Sequence, residues 1–484
     1  MSYEASDLVR AASWNVAAVN NNPFEYWVTS TDPNYNVVME GVQNFVSDPG
    51  RDFQVNRIFT DEMFADLVQE MRDVNLPSLD KVENFWMEDY SMRMAIGGFL
   101  KDKSLGLKRL SSMPDRITNT IHLQDGSTCM RPSAINAYQG GSLKSIEAWW
   151  SQWKCFMFHT PVSIFSNDGN SSQVRSELVC NLLGPILRSK YPAITVEEQA
   201  ISVPLQLLCL AILDAIFIHV LNDVGPAIWE GVRQILCDSL ISNKAPRTCR
   251  IIAEVYPDMD VFFVQEAAAI FVQKAAETPA LRDKYAVLLP ANLDGRRAQN
   301  SLIFLDRRAF RAETAADVTH EVAALLDGVF LAPGDLLVSS VQDSRGRPFL
   351  LASFHGDSNG LSTQPFMRAV GELARGRYPD HTLLVGLDAN TYSAATDIYY
   401  HAVDHFSEFL RESGFVSLWG HSPDPAVRTT CSARTYLQTQ INKATPIGER
   451  SAITNQNLKD WIVGFDYQVP AAAEGGWWGA INLQ

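Results

Sequence analysis

Apolar residues change their spacing twice along this chain. A short run, "ASWNVAAV", lies within residues 11 to 20 and predicts a strand. From about residue 57 to 245 the apolar positions recur at helical spacing, as in "DEMFADLVQEMRDV", "SIEAWWSQWKCFMF" and "VGPAIWEGVRQILCDSL". The polar stretch "FSNDGNSS" at 165 to 172 interrupts them as a loop. After about residue 250 short apolar runs alternate with amphipathic ones. "DVFFVQE" (260 to 266), "QNSLIFLD" (299 to 306), "RPFLLASFH" (347 to 355) and "HTLLVGLDAN" (381 to 390) read as strands. "QPFMRAVGELARG" sets Phe366, Val370, Leu373 and Ala374 on one helical face, and "HAVDHFSEFLRESGF" is a second helix ending near Gly414. Strands alternating with covering helices predict an α/β layered domain over residues 250 to 470. The early strand around Asn15 is placed to join the same sheet across the helical block.

Composition narrows the class. The 484 residues, 46% hydrophobic and 20% charged, have the balance of a folded chain, long enough for two or three domains or for one domain with a large insertion. A formal net charge of -15 disfavours broad, non-specific clamping of nucleic acid by a basic surface. It leaves room for a local phosphate site, since a divalent metal neutralises phosphate where lysines do not. Seven scattered cysteines without a C-x-x-C pair speak against a zinc cluster and for reduced, mostly buried thiols. Asn170-Ser171-Ser172 matches a glycosylation sequon of little weight. The apolar stretch 203 to 222 carries Gln206, Asp214 and His219, each costly in hydrocarbon, so it reads as a buried core helix. With no basic start followed by an apolar core at the N-terminus, the chain is expected to be soluble and intracellular.

Polar chemistry gathers where the apolar runs end. "SWN" delivers Asn15, "FFVQE" delivers Glu266, "ASFHGDSNG" delivers His355, "LLVGLDANTY" delivers Asp388 and Asn390, and "KDWIVGF" opens a last strand with Asp460. In layered α/β folds strand ends carry functional side chains, because the scaffold is rigid and the adjoining loops open to solvent. Carboxylates and amides without cysteine suit a hard cation such as Mg²⁺ or Mn²⁺. A histidine beside them suits proton transfer or stabilisation of transition-state charge. Each element alone has a plainer reading: a solvated strand terminus for Glu266, a structural histidine for His355, a helix cap for Asp388 and Asn390. Their order and company change the weighing.

That order resembles the endonuclease/exonuclease/phosphatase superfamily, whose members are DNase I-like. "WNV", "VQE", "SFHGDSNG", "GLDANT" and "KDWI" match its successive motifs, over roughly residues 11 to 45 and 250 to 468. The resemblance implies a four-layer sandwich, two packed mixed β-sheets flanked by helices, here with a large mainly helical insertion. The implied division is 1–56 for the first strands, 57–245 for the insertion and 246–484 for the remainder. It also implies an Mg²⁺- or Mn²⁺-dependent phosphoesterase, with nucleic acid as the first substrate class and another phosphoester next. Residue by residue, Glu266 would hold the metal, with Asn15 as a second ligand or a substrate contact. Asp388 would orient or deprotonate the attacking water, or hold metal. Asn390 would position phosphate or water, His355 would donate to a phosphate oxygen, and Asp460 would be a supporting carboxylate.

One motif of the family is not found. Its late Ser-Asp-His has no counterpart, because no histidine follows His421 and the only acids after "KDW" are Asp466 and Glu474. Two readings therefore stay open: a phosphoesterase, or a non-catalytic member of the fold acting in an assembly through its helical insertion. "CSARTYLQTQINKA" (431 to 444) places Arg434, Gln438, Gln440 and Lys443 where they line a substrate groove or merely cover a surface. Phe24, Tyr26 and Trp27 after the Asn20–Asn22 turn, and Trp149, Trp150 and Trp153 on a helix, read first as packing. His159 and His219 read as structural.

Overall fold

The computed structural model describes residues 8–17, 20–165, 174–291, 299–326, 328–329, 331–393 and 401–468. Most of the "FSNDGNSS" loop with its sequon, and the segment after residue 468, lie outside the described residues. The chain divides into two compact units. One joins residues 1–19, 242–432 and 451–484, and the other joins 20–241 and 433–450.

The first unit is built on two mixed sheets. The smaller comprises β1 (Ala11–Asn15), β2 (Val261–Ala267), β3 (Tyr285–Leu288) and β4 (Asn300–Asp306), in the order β1-β2-β4-β3. The larger comprises β5 (Phe310–Asp317), β6 (Leu336–Asp343), β7 (Pro348–His355), β8 (Thr382–Asp388), β9 (Phe415–Ser417) and β10 (Asp460–Phe465), in the order β9-β10-β8-β7-β6-β5. β1 runs parallel to β2, and β7 parallel to β8; the other pairings are antiparallel.

Side-chain alternation along the strands explains the layers. Successive residues of a strand point to opposite faces. Val261 and Phe263 pack with Ile303, Leu305, Leu337 and Leu351 between the sheets. Their neighbours Phe262 and Val264 pack outward on Cys249, Ile252 and Phe271, from the helices Lys244–Glu254 and Ala269–Glu277. On the far side Leu350, Ala352, Val385 and Leu387 meet Phe366, Val370, Phe406 and Leu410, from the helices Thr363–Arg377 and Val403–Glu412. The result is helix, sheet, sheet, helix: the four-layer α/β sandwich that the motif order implied.

The two sheets approach closely at Gly386. A Cβ there would lie 2.3 Å from the Phe263 ring, closer than any real contact. Gly386→Ala is therefore expected to destabilise the unit by about 1–3 kcal/mol, as overpacked cores do. A denaturant midpoint left unchanged by this substitution would show that the sheets separate freely at this level.

The second unit is mainly helical and starts earlier than the motif match implied. The helix Pro33–Ser47 buries Tyr35, Val38, Met39, Val42, Phe45 and Val46 in the same core as the central helix Ser202–Val224. Residues 20–56 thus belong here and not to the first strands of the sandwich. The chain also returns at 433–450, where Trp27 N donates to Ala433 O (3.0 Å), Trp27 Nε1 to Thr445 O (2.9 Å), and Leu437 and Ile441 enter the core. Two small antiparallel pairs, 120–122 with 128–130 and 161–165 with 174–178, complete the unit.

Ser202–Val224 is long and apolar enough to cross a membrane, but here 89% of its most apolar window is buried inside the protein. Its polar residues bond within the protein: Gln206 Nε2 donates to Gly184 O at 2.9 Å, although Gln206 Oε1 has no partner, and Asp214 receives Arg131 at 2.7 Å. Phe24 and the three tryptophans are in the core as expected, with Trp153 Nε1 donating to Asp214 at 3.1 Å. His219 packs edge-on against Phe53, and His159 pairs with Glu70 at 2.9 Å.

Candidate functional site

Five polar strand ends of the sandwich unit converge, and their convergence follows from register. His355, Asp388 and Asp460 are lateral partners across β7, β8 and β10, so they form one row at the edge of the larger sheet. In the smaller sheet Asn15 closes β1 opposite Gln265 of β2, and the chain then turns. Between Val264 and Ala267 the pairing of β2 with β4 slips by one residue, a bulge that re-aims Glu266. Glu266 adopts φ 51° there, and Ala17 (47°) and Asn390 (48°) at the neighbouring ends are also left-handed. Such backbone costs about 1–3 kcal/mol per residue and concentrates at functional sites.

Contacts tie the cluster together. Asn15 Nδ2 donates to Glu266 Oε1 at 3.1 Å and to Asp388 Oδ2 at 2.7 Å, and its Oδ1 accepts from Ala17 N at 2.8 Å. The amide oxygen of Asn15 is thus committed to the backbone, and its nitrogen serves the two carboxylates. His355 Nε2 lies 3.1 Å from Glu266 Oε1 and 4.0 Å from Asp388 Oδ2. Asn390 N donates to Asp388 Oδ1 at 2.8 Å, and Asn390 Nδ2 sits 3.3 Å from His355 Nε2. Asp460 accepts from Asn15 N at 3.4 Å. Beneath them the buried Gln265 bridges the sheets, donating to Ser353 Oγ (3.1 Å) and Gly386 O (3.2 Å).

The electrostatics of this arrangement are one-sided. Asp388 and Asp460 stand directly opposite each other on paired strands, a placement that like charges disfavour. Burial, and then the Asp388 charge, push Asp460 up to about 7, against a hydrogen bond from Thr429. The ammonium of Lys244 bonds to Ala17 O; burial lowers its pKa, while the Glu266 charge opposes that change. Lys459 Nζ donates to Asn390 Oδ1 at 2.8 Å.

Among the described residues no three His, Cys, Asp or Glu side chains converge as a ready-made metal cage. The donor set nevertheless fits a hard cation. Two carboxylate oxygens reach the same Asn15 nitrogen, and a third carboxylate, Asp460, stands opposite Asp388 on the paired strand. Mg²⁺ is commonly held by only one or two carboxylates, with waters completing its shell.

Of the residues singled out in the sequence, Asn15, Glu266, His355, Asp388, Asn390 and Asp460 come together. Arg434 belongs to the helical unit, where it pairs with Glu25 at 2.9 Å and stacks over Tyr26. Sequence reasoning missed Lys244, Thr429 and Lys459, although Lys459 stands beside Asp460 in "KDW".

The rest of "HGDSNG" is structural. Asp357 accepts from the backbone nitrogens of Asn359, Leu361 and Ser362 and so shapes the turn into the helix Thr363–Arg377. Burial opposes its ionisation, but these bonds and that from the Ser362 hydroxyl outweigh it and lower its pKa. Asn359 O in turn accepts from the backbone of His401, whose buried ring lies 3.1 Å from Gln364 Nε2. Burial depresses His401 from 6.5 to about 4. The unfolded chain therefore binds this proton between those values and the fold does not. Stability is expected to be fully present above pH 6.5 and to fall by about 3 kcal/mol as pH drops to 4. Unfolding curves of His401→Gln should lack this component; identical pH profiles for the two proteins would refute it.

Residues 52–234, within the helical unit, match a family described as a domain of unknown function, DUF8234. No curated protein matches the chain. Among solved structures the chain is similar to an endonuclease/exonuclease/phosphatase family protein of Bacteroides thetaiotaomicron, with 15% identity over 46% of this chain and 74% of that one and a TM-score of 0.31. It is similar to D. rerio TDP2 complexed with a single-strand DNA product, with 16% identity over 46% of this chain and 77% of that one and a TM-score of 0.31. It is also similar to the mannosyl-6-phosphatase Bt3783 of B. thetaiotaomicron, with 17% identity over 48% of this chain and 78% of that one and a TM-score of 0.31.

Proposed function

We propose that the sandwich unit is a Mg²⁺- or Mn²⁺-dependent phosphoesterase, with phosphodiesters of nucleic acid as its first substrate class. The observation that supports this reading best is the single cluster in which Asn15, Glu266, His355, Asp388, Asn390 and Asp460 meet from both sheets. Glu266 and Asp388 would hold the cation, which when bound neutralises charge on the phosphate. Asn15 keeps the two carboxylates together. In hydrolysis a water oxygen bonds to phosphorus, the ester P–O bond breaks, one proton of the water passes to Asp388 or Asp460, and the departing oxygen takes up a proton from solvent. His355 and Asn390 Nδ2 are donors for the phosphate oxygens that gain charge. The strong net negative charge favours a small or single-stranded substrate over long duplex.

A second reading, a non-catalytic module of the same fold, is supported by one feature. Among the described residues His355 is the only histidine paired with these carboxylates. Hydrolysis of a panel of phosphodiesters and phosphomonoesters by the full chain, with Mg²⁺, Mn²⁺ or EDTA, separates the two. Turnover that needs the metal supports the enzyme; a folded chain inert on the whole panel favours the module.

A further inference from the structure

Lys459 holds its charge near Asp460 without forming an ion pair among the described residues. It precedes Asp460 at the start of β10, and its backbone is pinned by Thr429 Oγ1 (2.9 Å to Lys459 N) and by Ala389 N, which donates to Lys459 O at 2.8 Å. Its Nζ donates to Asn390 Oδ1 at 2.8 Å and to Tyr392 Oη at 3.4 Å, and lies 4.5 Å from the centre of the Tyr392 ring. All three partners are neutral. Among the described residues no carboxylate is within ion-pair distance of it, although the site holds three. An ammonium has three N–H donors, and this one spends two on protein oxygens.

The contact also fixes the amide beside it. Because Asn390 Oδ1 faces the ammonium, Asn390 Nδ2 must face His355. Lys459, Asn390 and His355 thus follow one another in a chain of contacts, from the ammonium through the amide to the imidazole. Nitrogen groups in succession complement an anion with several oxygens, beside the carboxylates that would hold a metal.

We infer that Lys459 is a phosphate-binding residue of this site, giving its third N–H to a non-bridging oxygen of the substrate and holding Asn390 in the donating orientation. This inference rests on the phosphoesterase reading for its substrate class. The test compares wild type with Lys459→Met, which keeps the chain length without the charge, and Lys459→Arg, which keeps the charge. Inorganic phosphate is titrated in Mg²⁺ buffer and followed by ³¹P NMR, and KM and kcat are measured separately on any phosphoester the wild type turns over. The expected result is an affinity for phosphate lowered about 10- to 100-fold in Lys459→Met, the loss of one hydrogen bond to a charged group, with partial recovery in Lys459→Arg. KM should rise by a similar factor, more than kcat falls. Should Lys459→Met be unfolded by circular dichroism, Lys459→Gln and Lys459→Arg carry the comparison. Equal phosphate affinity in wild type and the neutral variants, or no binding by wild type, overturns the inference. Phosphate binding that depends on Lys459 in a chain without turnover sustains it while the enzymatic reading fails.

Discussion

Asp388→Asn is expected to lower Mg²⁺-dependent phosphodiester hydrolysis by about 10²- to 10⁴-fold, the range for losing a positioned proton acceptor. The fold should survive the change. Asp388 is 4% exposed and closes β8; its Oδ1 takes the Asn390 N–H, a role that the asparagine oxygen also fills. What the substitution removes is one charge and the acceptor facing Asn15 Nδ2. The lost hydrogen bond is destabilising, and the end of repulsion with Asp460 is stabilising, so the two should offset to within about 1 kcal/mol. Glu266→Gln should behave likewise, with a stronger dependence on Mg²⁺ concentration if Glu266 holds the ion. Steady-state kinetics across a metal series, beside thermal unfolding of the same samples, reads both halves. Full activity in both variants would remove Glu266 and Asp388 from the reaction and with them the site as drawn here.

The strand ends that make this cluster are legible in the sequence because each closes an apolar run with one polar residue of unusual type. β2, β4, β7 and β8 are nearly continuous apolar stretches, as strands buried on both faces must be. β6, "LLVSSVQD", is less visible, since Ser339 and Ser340 break its apolar run. What the sequence does not carry is lateral register. Only the pairing of β7, β8 and β10 puts His355, Asp388 and Asp460 in one row, and only the bulge in β2 turns Glu266 toward them. Lys459 gives no signal in the sequence, because a lysine before a strand is normally solvated. The unit boundaries failed for a related reason. Residues 33–47 show a clear helical face, but the pattern does not say which core it covers. The irregular segment 433–450 has no periodicity at all, and long-range backbone bonds to residues 25 and 27 assign it.

Asp214→Ala is expected to destabilise the helical unit by about 3–5 kcal/mol, because it takes from a buried guanidinium its fully buried counter-charge. Asp214 sits in the middle of the most apolar helix of the chain and has no exposed surface. Its carboxylate accepts from Arg131 Nε (2.7 Å), Ser133 Oγ (2.7 Å) and Trp153 Nε1 (3.1 Å). Burial raises its pKa, and Arg131 works against that rise. Without Asp214, Arg131 keeps only Asp115 at 2.6 Å and Thr118 at 2.8 Å, one from a partly exposed residue and the other uncharged. The cost should therefore belong to the broken pair and not to the lost volume. Replacing both, as Arg131→Met with Asp214→Leu, should cost far less than either single change, since removing a buried ion pair entirely is often close to neutral. Urea unfolding followed by tryptophan fluorescence measures all three variants, with Trp153 as a reporter in contact with the site. Additive costs in the double variant would mean that packing, not charge, governs this part of the core. A strongly non-additive result would instead show why an acid is retained in a helix whose composition otherwise suits a membrane: it is half of a pair that forms only when the surrounding helices close around it.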